Sequence, residues 1–306
     1  MNRIRTAALI AVSLSLLAMM SCSDNSASSA GDGRISVVAT TTQVQDFVRV
    51  VGGNDVRLTA LLKPNVDPHD YEPAAVDTLA VATADVIISS GAGLDSWLEP
   101  LITSAEPSAK VTVASDGVEL FVGTGSEAGR PDPHVWHDPR NAKIMVENIT
   151  RALSAADPRH RSDYARRSAT YVAQLDALDR EISGQIATLT DKYLVTNHDA
   201  FGYYARRYGL SVVGTIIPSF DTSAELSASD LSALVATITS YGVKAVFSES
   251  SLPAKTASAI AEEAGVRVVA GEASLYGDTL GPVGSDGATY LEMMRHNTRT
   301  IVKNLR

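Results

Sequence analysis

Cysteine is nearly absent from this chain: among its 306 residues, Cys22 is the single cysteine. One thiol excludes an intramolecular disulfide, so the fold has to be stabilised by the burial of apolar side chains. Hydrolase signatures are absent too, since neither an HExxH helix nor a GxSxG elbow occurs in the sequence.

Basic residues are fewer than acidic ones. Of 26 Lys and Arg, Arg3 and Arg5 lie in the first segment, which leaves 24 against 35 Asp and Glu. This acidic balance predicts no nucleic-acid partner.

The first 21 residues have the pattern of a secretory signal peptide. Arg3 and Arg5 precede an apolar run over 7–20, which is too short to span a bilayer comfortably as a mature helix. Cys22 follows this run directly, as the lipidated cysteine does in bacterial lipoproteins, and residues 22–33 are rich in Ser, Ala, Gly and Asp. We therefore expect a lipid anchor at Cys22, a flexible tether, and an extracytoplasmic protein held at the cell membrane.

From residue 34 onward, short β-rich runs alternate with helical patterns. This alternation predicts an α/β protein with mainly parallel sheets covered by helices on both faces. The predicted strands are 35–39, 56–62, 85–89 and 110–114, then 193–197, 210–216, 243–248 and 266–271. The predicted helices are 43–53, 76–84, 95–105, 229–242, 253–265 and 286–305. Four strands fall in each half of the chain, so we predict two lobes, each with a four-stranded sheet.

A long helix is predicted between the two halves, over residues 157–190. Asp157 followed by Pro158 is a good helix start, with an N-cap residue and then proline at the first helical position. Apolar residues recur at helical spacing in this stretch, at Tyr164, Tyr171, Leu175, Leu178, Ile182, Ile186 and Leu189. The predicted layout is therefore an N-terminal lobe over 34–156, a linking helix, and a C-terminal lobe over 191–306.

Polar residues suited to metal binding follow four of the predicted strands. His69, His134, His198 and Asp278 come after the second, fourth, fifth and eighth strands. Open α/β sheets bind ligands beyond the carboxyl ends of their strands. Two lobes facing each other would bring these side chains into one cleft, and Pro68 and Pro133 would stiffen the loops of the first two histidines. Three imidazoles and one carboxylate suit a divalent transition metal, zinc most readily.

Three further residues are secondary candidates for this cleft. His137 lies three residues after His134 and could contact the ion or line the rim of the site. Asp199 neighbours His198 and could orient its ring. Glu249 follows the seventh strand and is the reserve fourth ligand. Of the remaining histidines, His160 is expected to be solvated. His296 is expected either to lie at the surface or to pack within the final helix.

At these residues the sequence resembles the zinc/manganese-type solute-binding lipoproteins of bacterial metal ABC transporters, the TroA-like group of cluster A-I. The resemblance spans essentially the whole mature chain. Its segments are VVATTTQVQDFVRVVGG, PHDYEP, GAGLDSW, DPHVWHDP, NHDAFGYYARRYGL, LYGDTLG and TYLEMMRHNTRTIVKNL. The resemblance implies two α/β lobes joined by one long helix, a metal between them, and ligand positions at His69, His134, His198 and Asp278. His137 stands where the group more often has leucine.

The resemblance also implies a function: capture of a divalent metal outside the cytoplasmic membrane and delivery to an ABC permease. A histidine at the third ligand position is commoner among zinc binders of the group and a glutamate among manganese binders, so His198 favours Zn²⁺, with Mn²⁺ or iron as the alternative. We expect a monomer and no enzymatic activity. The alternatives of a different class are a metallohydrolase using His134, His137 and an acid, and a surface adhesin.

Overall fold

Four short parallel strands form the sheet of the N-terminal lobe. The computed structural model describes residues 33–224 and 227–306, without the side chain of Ser126. The strands lie in the order β2-β1-β3-β4 and are β1 (Ile35–Ala39), β2 (Val56–Ala60), β3 (Val86–Ser89) and β4 (Val111–Val113). The helices of this lobe are α1 (Thr42–Gly52), α2 (Ala75–Ala82), α3 (Leu98–Ala105) and α4 (Pro139–Ala156). Every residue of β3 is buried, as a central strand covered on both faces requires.

The helix between the lobes, α5, covers Arg161–Ile186 and follows a 3₁₀ turn at Pro158–His160. Its 26 residues correspond to a length of about 39 Å at 1.5 Å per residue. The side chain of Asp157 caps the turn by accepting a hydrogen bond from the N–H of Arg159. All seven residues of the predicted apolar stripe are buried. The stripe is the face through which this helix packs against the core.

The C-terminal lobe repeats the arrangement of the first. Its four parallel strands lie in the order β6-β5-β7-β8 and are β5 (Tyr193–His198), β6 (Ser211–Ile217), β7 (Ala245–Phe247) and β8 (Arg267–Val269). Its helices are α6 (Gly202–Tyr208), α7 (Ala228–Tyr241), α8 (Lys255–Ala264) and α9 (Tyr290–Leu305). The predicted fold class, two lobes with four-stranded parallel sheets and a long connecting helix, is confirmed.

Two helices have no counterpart in the sequence-based prediction. Helix α4 begins at Pro139, with Asp138 as its N-cap accepting from the N–H of Arg140, and a 3₁₀ turn over Val135–His137 precedes it. Pro139 occupies the first helical position, where a missing N–H leaves no bond unmade, so a proline here begins a helix. Helix α6 buries mainly tyrosines, so it lacks the aliphatic periodicity that identifies a helix in sequence.

One large apolar core extends through both lobes. It includes Phe47 on α1, Tyr171 on α5, Tyr204 on α6 and Tyr290 on α9, and residues Arg34–Arg306 form one compact unit. No helix within the described ranges 33–224 and 227–306 is long and apolar enough to cross a membrane. The predicted signal peptide over 1–21, the predicted lipid anchor at Cys22 and the tether up to residue 32 lie outside the described residues.

Candidate metal centre

Four side chains converge where the lobes meet. His69 lies in the loop after β2, His134 in the segment after β4, His198 at the end of β5 and Asp278 in the segment after β8. One ligand atom from each lies within 4.8 Å of all the others. Parallel strands end at one edge of their sheet, so the loops after those ends are brought together. The structure thus brings together the four residues that the sequence analysis selected.

The atoms of this group face a common point. Nε2 of His134 lies 3.2 Å from Oδ1 of Asp278, and Nε2 of His198 lies 3.2 Å from Oδ2. Nε2 of His69 lies 3.8 Å from Oδ2. Despite these short distances, neither carboxylate oxygen of Asp278 nor Nε2 of His69 has a hydrogen bond of normal geometry, although all three atoms are buried. Buried polar atoms are rarely left unpaired. Three nitrogens and a carboxylate around one point are a donor set that a divalent transition metal satisfies.

Aspartates two residues upstream fix the first two histidines. Oδ1 of Asp67 accepts the backbone N–H of His69 at 2.9 Å, and Oδ1 of Asp132 accepts that of His134 at 3.0 Å. Asp132 Oδ1 also lies 2.8 Å from Nδ1 of His134, which directs Nε2 towards the cluster. The repeated sequence Asp-Pro-His is therefore a local turn that aims an imidazole, in which the aspartate makes the contact and the proline stiffens the backbone.

Glu249 supports the third histidine. Its Oε1 accepts the backbone N–H of His198 at 3.0 Å and lies 3.0 Å from Nδ1 of the same ring. From the sequence we expected that Asp199 could orient this ring, but the carboxylate in contact with Nδ1 is that of Glu249. A carboxylate on Nδ1 holds the imidazole in position and raises its basicity at Nε2. Glu249 thus lies behind His198, outside the four-residue group.

His137 is completely buried but is not part of the group. Its Nε2 donates to the carbonyl of Gly277 at 3.0 Å, and its ring stacks on Phe201. Burial lowers the pKa of His137 to about 3, so the ring is neutral and acts as a hydrogen-bond donor. The other two histidines also bond locally. His160 Nδ1 lies 2.6 Å from Asp157, and His296 Nε2 donates to the carbonyl of Ser274 at 2.9 Å.

The charged groups of the cluster shift one another's pKa. Burial acts to lower the pKa of His134, but the carboxylates of Asp132 and Asp278 raise it to about 9. Burial opposes protonation of His198 as well, yet Asp278 and Glu249 raise its pKa well above the ordinary value of 6.5. The two imidazoles in turn hold the pKa of Asp278 well below its usual range, against the effect of burial. Burial lowers the pKa of His69. Without a metal, the negative Asp278 is therefore neutralised by protonated imidazoles.

A glycine gives Glu249 its space. An ideal Cβ at Gly277 would lie 2.0 Å from Oε2 of Glu249, so Gly277→Ala has to displace the carboxylate from His198. We expect a roughly tenfold loss of metal affinity and a loss of about 1–3 kcal/mol in unfolding free energy. Competition against a chromogenic chelator and thermal unfolding measure the two effects.

Gly184→Ala on α5 is the matched control, because its Cβ would meet nothing within 4 Å. This variant should keep the affinity of the wild type and gain about 0.5–1 kcal/mol from the helix preference of alanine. Unchanged metal affinity in Gly277→Ala would show that the contact between Glu249 and His198 is not needed for binding.

This chain is similar in sequence to known metal-uptake and metal-binding proteins. Residues 37–304 match the family described as ZnuA, zinc-uptake complex component A, periplasmic. The chain is 34% identical over 310 residues to the manganese-binding lipoprotein MntA of Bacillus subtilis (strain 168), covering 99% of this chain and 100% of that protein. It is 33% identical over 280 residues to the zinc-binding protein TroA of Treponema pallidum (strain Nichols), covering 90% of each.

An iron-transport relative and a solved structure are also similar to this chain. The iron ABC transporter substrate-binding lipoprotein MtsA of Streptococcus pyogenes serotype M1 is 27% identical over 310 residues, covering 98% of both chains. The solved structure of the periplasmic zinc-binding protein TroA from Treponema pallidum superposes with a TM-score of 0.83 at 31% identity, covering 89% of this chain and 99% of that one.

Proposed function

Since this chain belongs to the ZnuA family of periplasmic zinc-uptake components, we propose that it is an extracytoplasmic receptor that captures one divalent transition metal ion, with zinc favoured, and delivers it to an ABC permease for import. The observation that carries the proposal is the convergence of His69, His134, His198 and Asp278 within 4.8 Å of one another. Members of this family are solute-binding receptors, so the metallohydrolase alternative is set aside.

The chemistry of the donor set supports a transport role. Four protein ligands complete a tetrahedral shell and leave no coordination position for a reactive water, as in closed zinc sites. The group is buried apart from His69, which is half-buried, so a bound ion is shielded from competing ligands in solution. Such a site binds tightly and releases its ion only when a ligand moves away.

Zinc is favoured because three of the four donors are imidazoles. Borderline zinc accepts nitrogen readily, whereas manganese prefers oxygen. Manganese is the second candidate, since MntA, a manganese-binding lipoprotein, shares 34% of its residues with this chain; iron follows from the likeness to MtsA. Contact of the chain with host molecules as an adhesin has no comparable support among these relatives.

The proposed layout places the receptor at the membrane. It comprises a signal peptide over 1–21, a tether over 22–33 beginning at a lipidated Cys22, lobes over 34–156 and 191–306, and a linking helix over 157–190. The names of MntA and MtsA as lipoproteins support the lipid anchor. We propose that the receptor acts as a monomer on the extracytoplasmic side of the membrane.

Metal content tests the choice of ion. Protein purified without added metal should carry about one zinc per chain by elemental analysis. His198→Glu should lose most of this zinc, because the new carboxylate would face Glu249, which lies 3.0 Å from the present ring. The double variant His198→Glu/Glu249→Gln removes that repulsion and should bind again, with the ratio of manganese to zinc increased.

Competition between the two ions in equimolar solution measures this ratio. A wild-type protein that takes up manganese in preference to zinc would overturn the zinc assignment and leave the metal-receptor assignment intact. A wild-type protein that binds neither ion would overturn both.

A further inference from the structure

The segment that carries Asp278 passes from one lobe to the other. Its first residues are bonded to the C-terminal lobe: the N–H of Leu275 donates to the carbonyl of Ser248 at 2.8 Å. Tyr276 exchanges two hydrogen bonds with the side chain of Asn297 on α9, at 2.9 and 2.8 Å. Up to Tyr276, therefore, the segment belongs to the lobe in which the chain places it.

Between Gly277 and Leu280, the segment forms hydrogen bonds with residues of the N-terminal lobe. The carbonyl of Gly277 accepts from Nε1 of Trp136 at 3.2 Å and from Nε2 of His137 at 3.0 Å. The carbonyl of Asp278 accepts from Nε2 of Gln43 at 2.8 Å. Three side chains of the N-terminal lobe thus hold the two peptide carbonyls that flank the Asp278 side chain.

The following residues continue the same pattern. The N–H of Leu280 donates to Oγ1 of Thr42 at 2.8 Å, and Thr42 donates to Oε1 of Gln43 at 3.2 Å. The N–H of Asn65 donates to Oγ1 of Thr279 at 3.1 Å. The first turn of α1 therefore binds this segment on both sides of Thr279.

Water cannot replace these contacts, because Gln43, Trp136 and His137 are each 0% exposed. A buried carbonyl that loses its donor stays unpaired unless the backbone moves. Removing Gln43 takes away the side-chain donor of the Asp278 carbonyl, whereas removing His137 leaves the Gly277 carbonyl with the longer bond from Trp136 alone. Each change should shift the peptide that carries Asp278, although neither residue belongs to the four-residue group.

We propose that Gln43, Trp136 and His137 are positioning residues that hold Asp278 on the N-terminal lobe. This inference rests on the proposed metal-receptor function. Its consequence is an asymmetric site: His69, His134 and Asp278 stay together on the N-terminal lobe, and His198, backed by Glu249, is the single ligand of the C-terminal lobe. Separation of the lobes would then withdraw His198 from the ion and concentrate the backbone change between Tyr276 and Gly277.

The experiment compares two histidines that donate to the same segment. His137→Leu removes the shorter of the two hydrogen bonds to the Gly277 carbonyl, and His296→Leu removes another buried donor, to the carbonyl of Ser274 on the side of the C-terminal lobe. Gln43→Met removes the donor to the carbonyl of Asp278. His137→Gln keeps a side-chain N–H at residue 137 that can donate to Gly277. The full-length variants are compared by zinc competition, by the visible absorption spectrum of bound Co²⁺, and by amide hydrogen exchange of the metal-free protein.

We expect His137→Leu and Gln43→Met to lower the zinc affinity about 10- to 100-fold, as loss of an outer-shell contact does. Their Co²⁺ spectra should change, because the Asp278 carboxylate is displaced, and the amide of Leu280 should exchange faster without metal. His296→Leu should keep the wild-type affinity, spectrum and Leu280 exchange rate. His137→Gln should recover most of the affinity lost in His137→Leu, and it serves as the test if the leucine variant does not fold.

Two results would overturn the inference: wild-type affinity and spectrum in both His137→Leu and Gln43→Met, or an equal loss in His296→Leu and His137→Leu. Failure of the proposed function is distinct, since it means that the wild type binds no metal. The exchange rate of Leu280 in metal-free protein still reports on the contacts in that case.

Discussion

Replacing His134 with alanine should lower the zinc affinity by more than about 100-fold, the upper end of the loss caused by removing an outer-shell partner. His134 is 0% exposed, and its Nε2 lies 3.3 Å from Nε2 of His198 and 3.2 Å from Asp278. Alanine removes one donor of four and leaves the buried Asp132 without its ring partner. No other side chain of the four-residue group can replace the missing nitrogen, so tetrahedral coordination is lost.

The control for this variant is His160→Ala. His160 is also a histidine paired with an aspartate, since its Nδ1 lies 2.6 Å from Asp157, but it is outside the group of four. His160→Ala should bind zinc like the wild type. Calorimetric titration of both variants at pH 7.5 makes the comparison, and a His134→Ala affinity within tenfold of the wild type would contradict the assignment of His134 as a ligand.

The sequence predicted the architecture well because parallel α/β folds have a strong local pattern. Each predicted strand overlaps an observed one, and each predicted helix overlaps an observed helix, with ends that differ by a few residues. Runs such as VIIS in β3 are apolar at every position, which only a sheet covered on both faces explains. The four cluster residues were predictable from the same pattern, since they follow the carboxyl ends of strands in both sheets, where α/β folds bind ligands.

The partners of the cluster residues were less predictable, because they depend on contacts between strands and lobes. Asp199 is next to His198 in sequence, but β5 ends at His198 and Asp199 lies outside the strand. Thr196 pairs with Phe247 in parallel register, and two residues further along each segment the carboxylate of Glu249 contacts the ring of His198. Sequence adjacency favoured the wrong carboxylate, and only the register between β5 and β7 identifies the right one.

Hydrogen bonds between distant parts of the chain could not be predicted from the sequence pattern. Gln43 and Asp278 are 235 residues apart, and nothing in the sequence around Gln43 distinguishes it from a polar residue on an exposed helix face. His137 could be counted as a candidate ligand, but its role as a donor to Gly277 depends on how the two lobes pack. Hydrogen-bond partners of this kind become visible only when both lobes are placed.

The second large effect concerns pH. At neutral pH the metal-free cluster holds protons, since the pKa of His134 is raised to about 9 and that of His198 well above 6.5. A metal binds only neutral imidazole, so each ion has to displace these protons. Where both rings are protonated, two protons leave per ion, and the apparent affinity should fall by up to about 100-fold for each unit of pH decrease.

This dependence should begin near pH 9 rather than near the ordinary histidine value of 6.5, because the carboxylates of Asp132, Asp278 and Glu249 stabilise the protonated rings. Calorimetric titration in buffers of different ionisation enthalpy counts the protons released at each pH. An affinity that stays constant between pH 8 and 6, with no proton release, would contradict ligation by His134 and His198.

The stability of the metal-free protein should decrease as the pH rises, whereas its zinc affinity should increase. A histidine whose pKa is raised on folding contributes stability that is complete below the unfolded value of about 6.5 and is lost as the pH rises through the folded value. The melting temperature of metal-free protein should therefore fall between pH 6.5 and 9, while its affinity for zinc increases. His69 and His137 have lowered pKa values, so their contribution is lost only below pH 6.5. Deprotonation of His134 and His198 at high pH should thus lower the stability of the metal-free protein and raise its affinity for zinc. Scanning calorimetry from pH 6.5 to 9 measures the melting temperature without zinc and its increase when zinc is added.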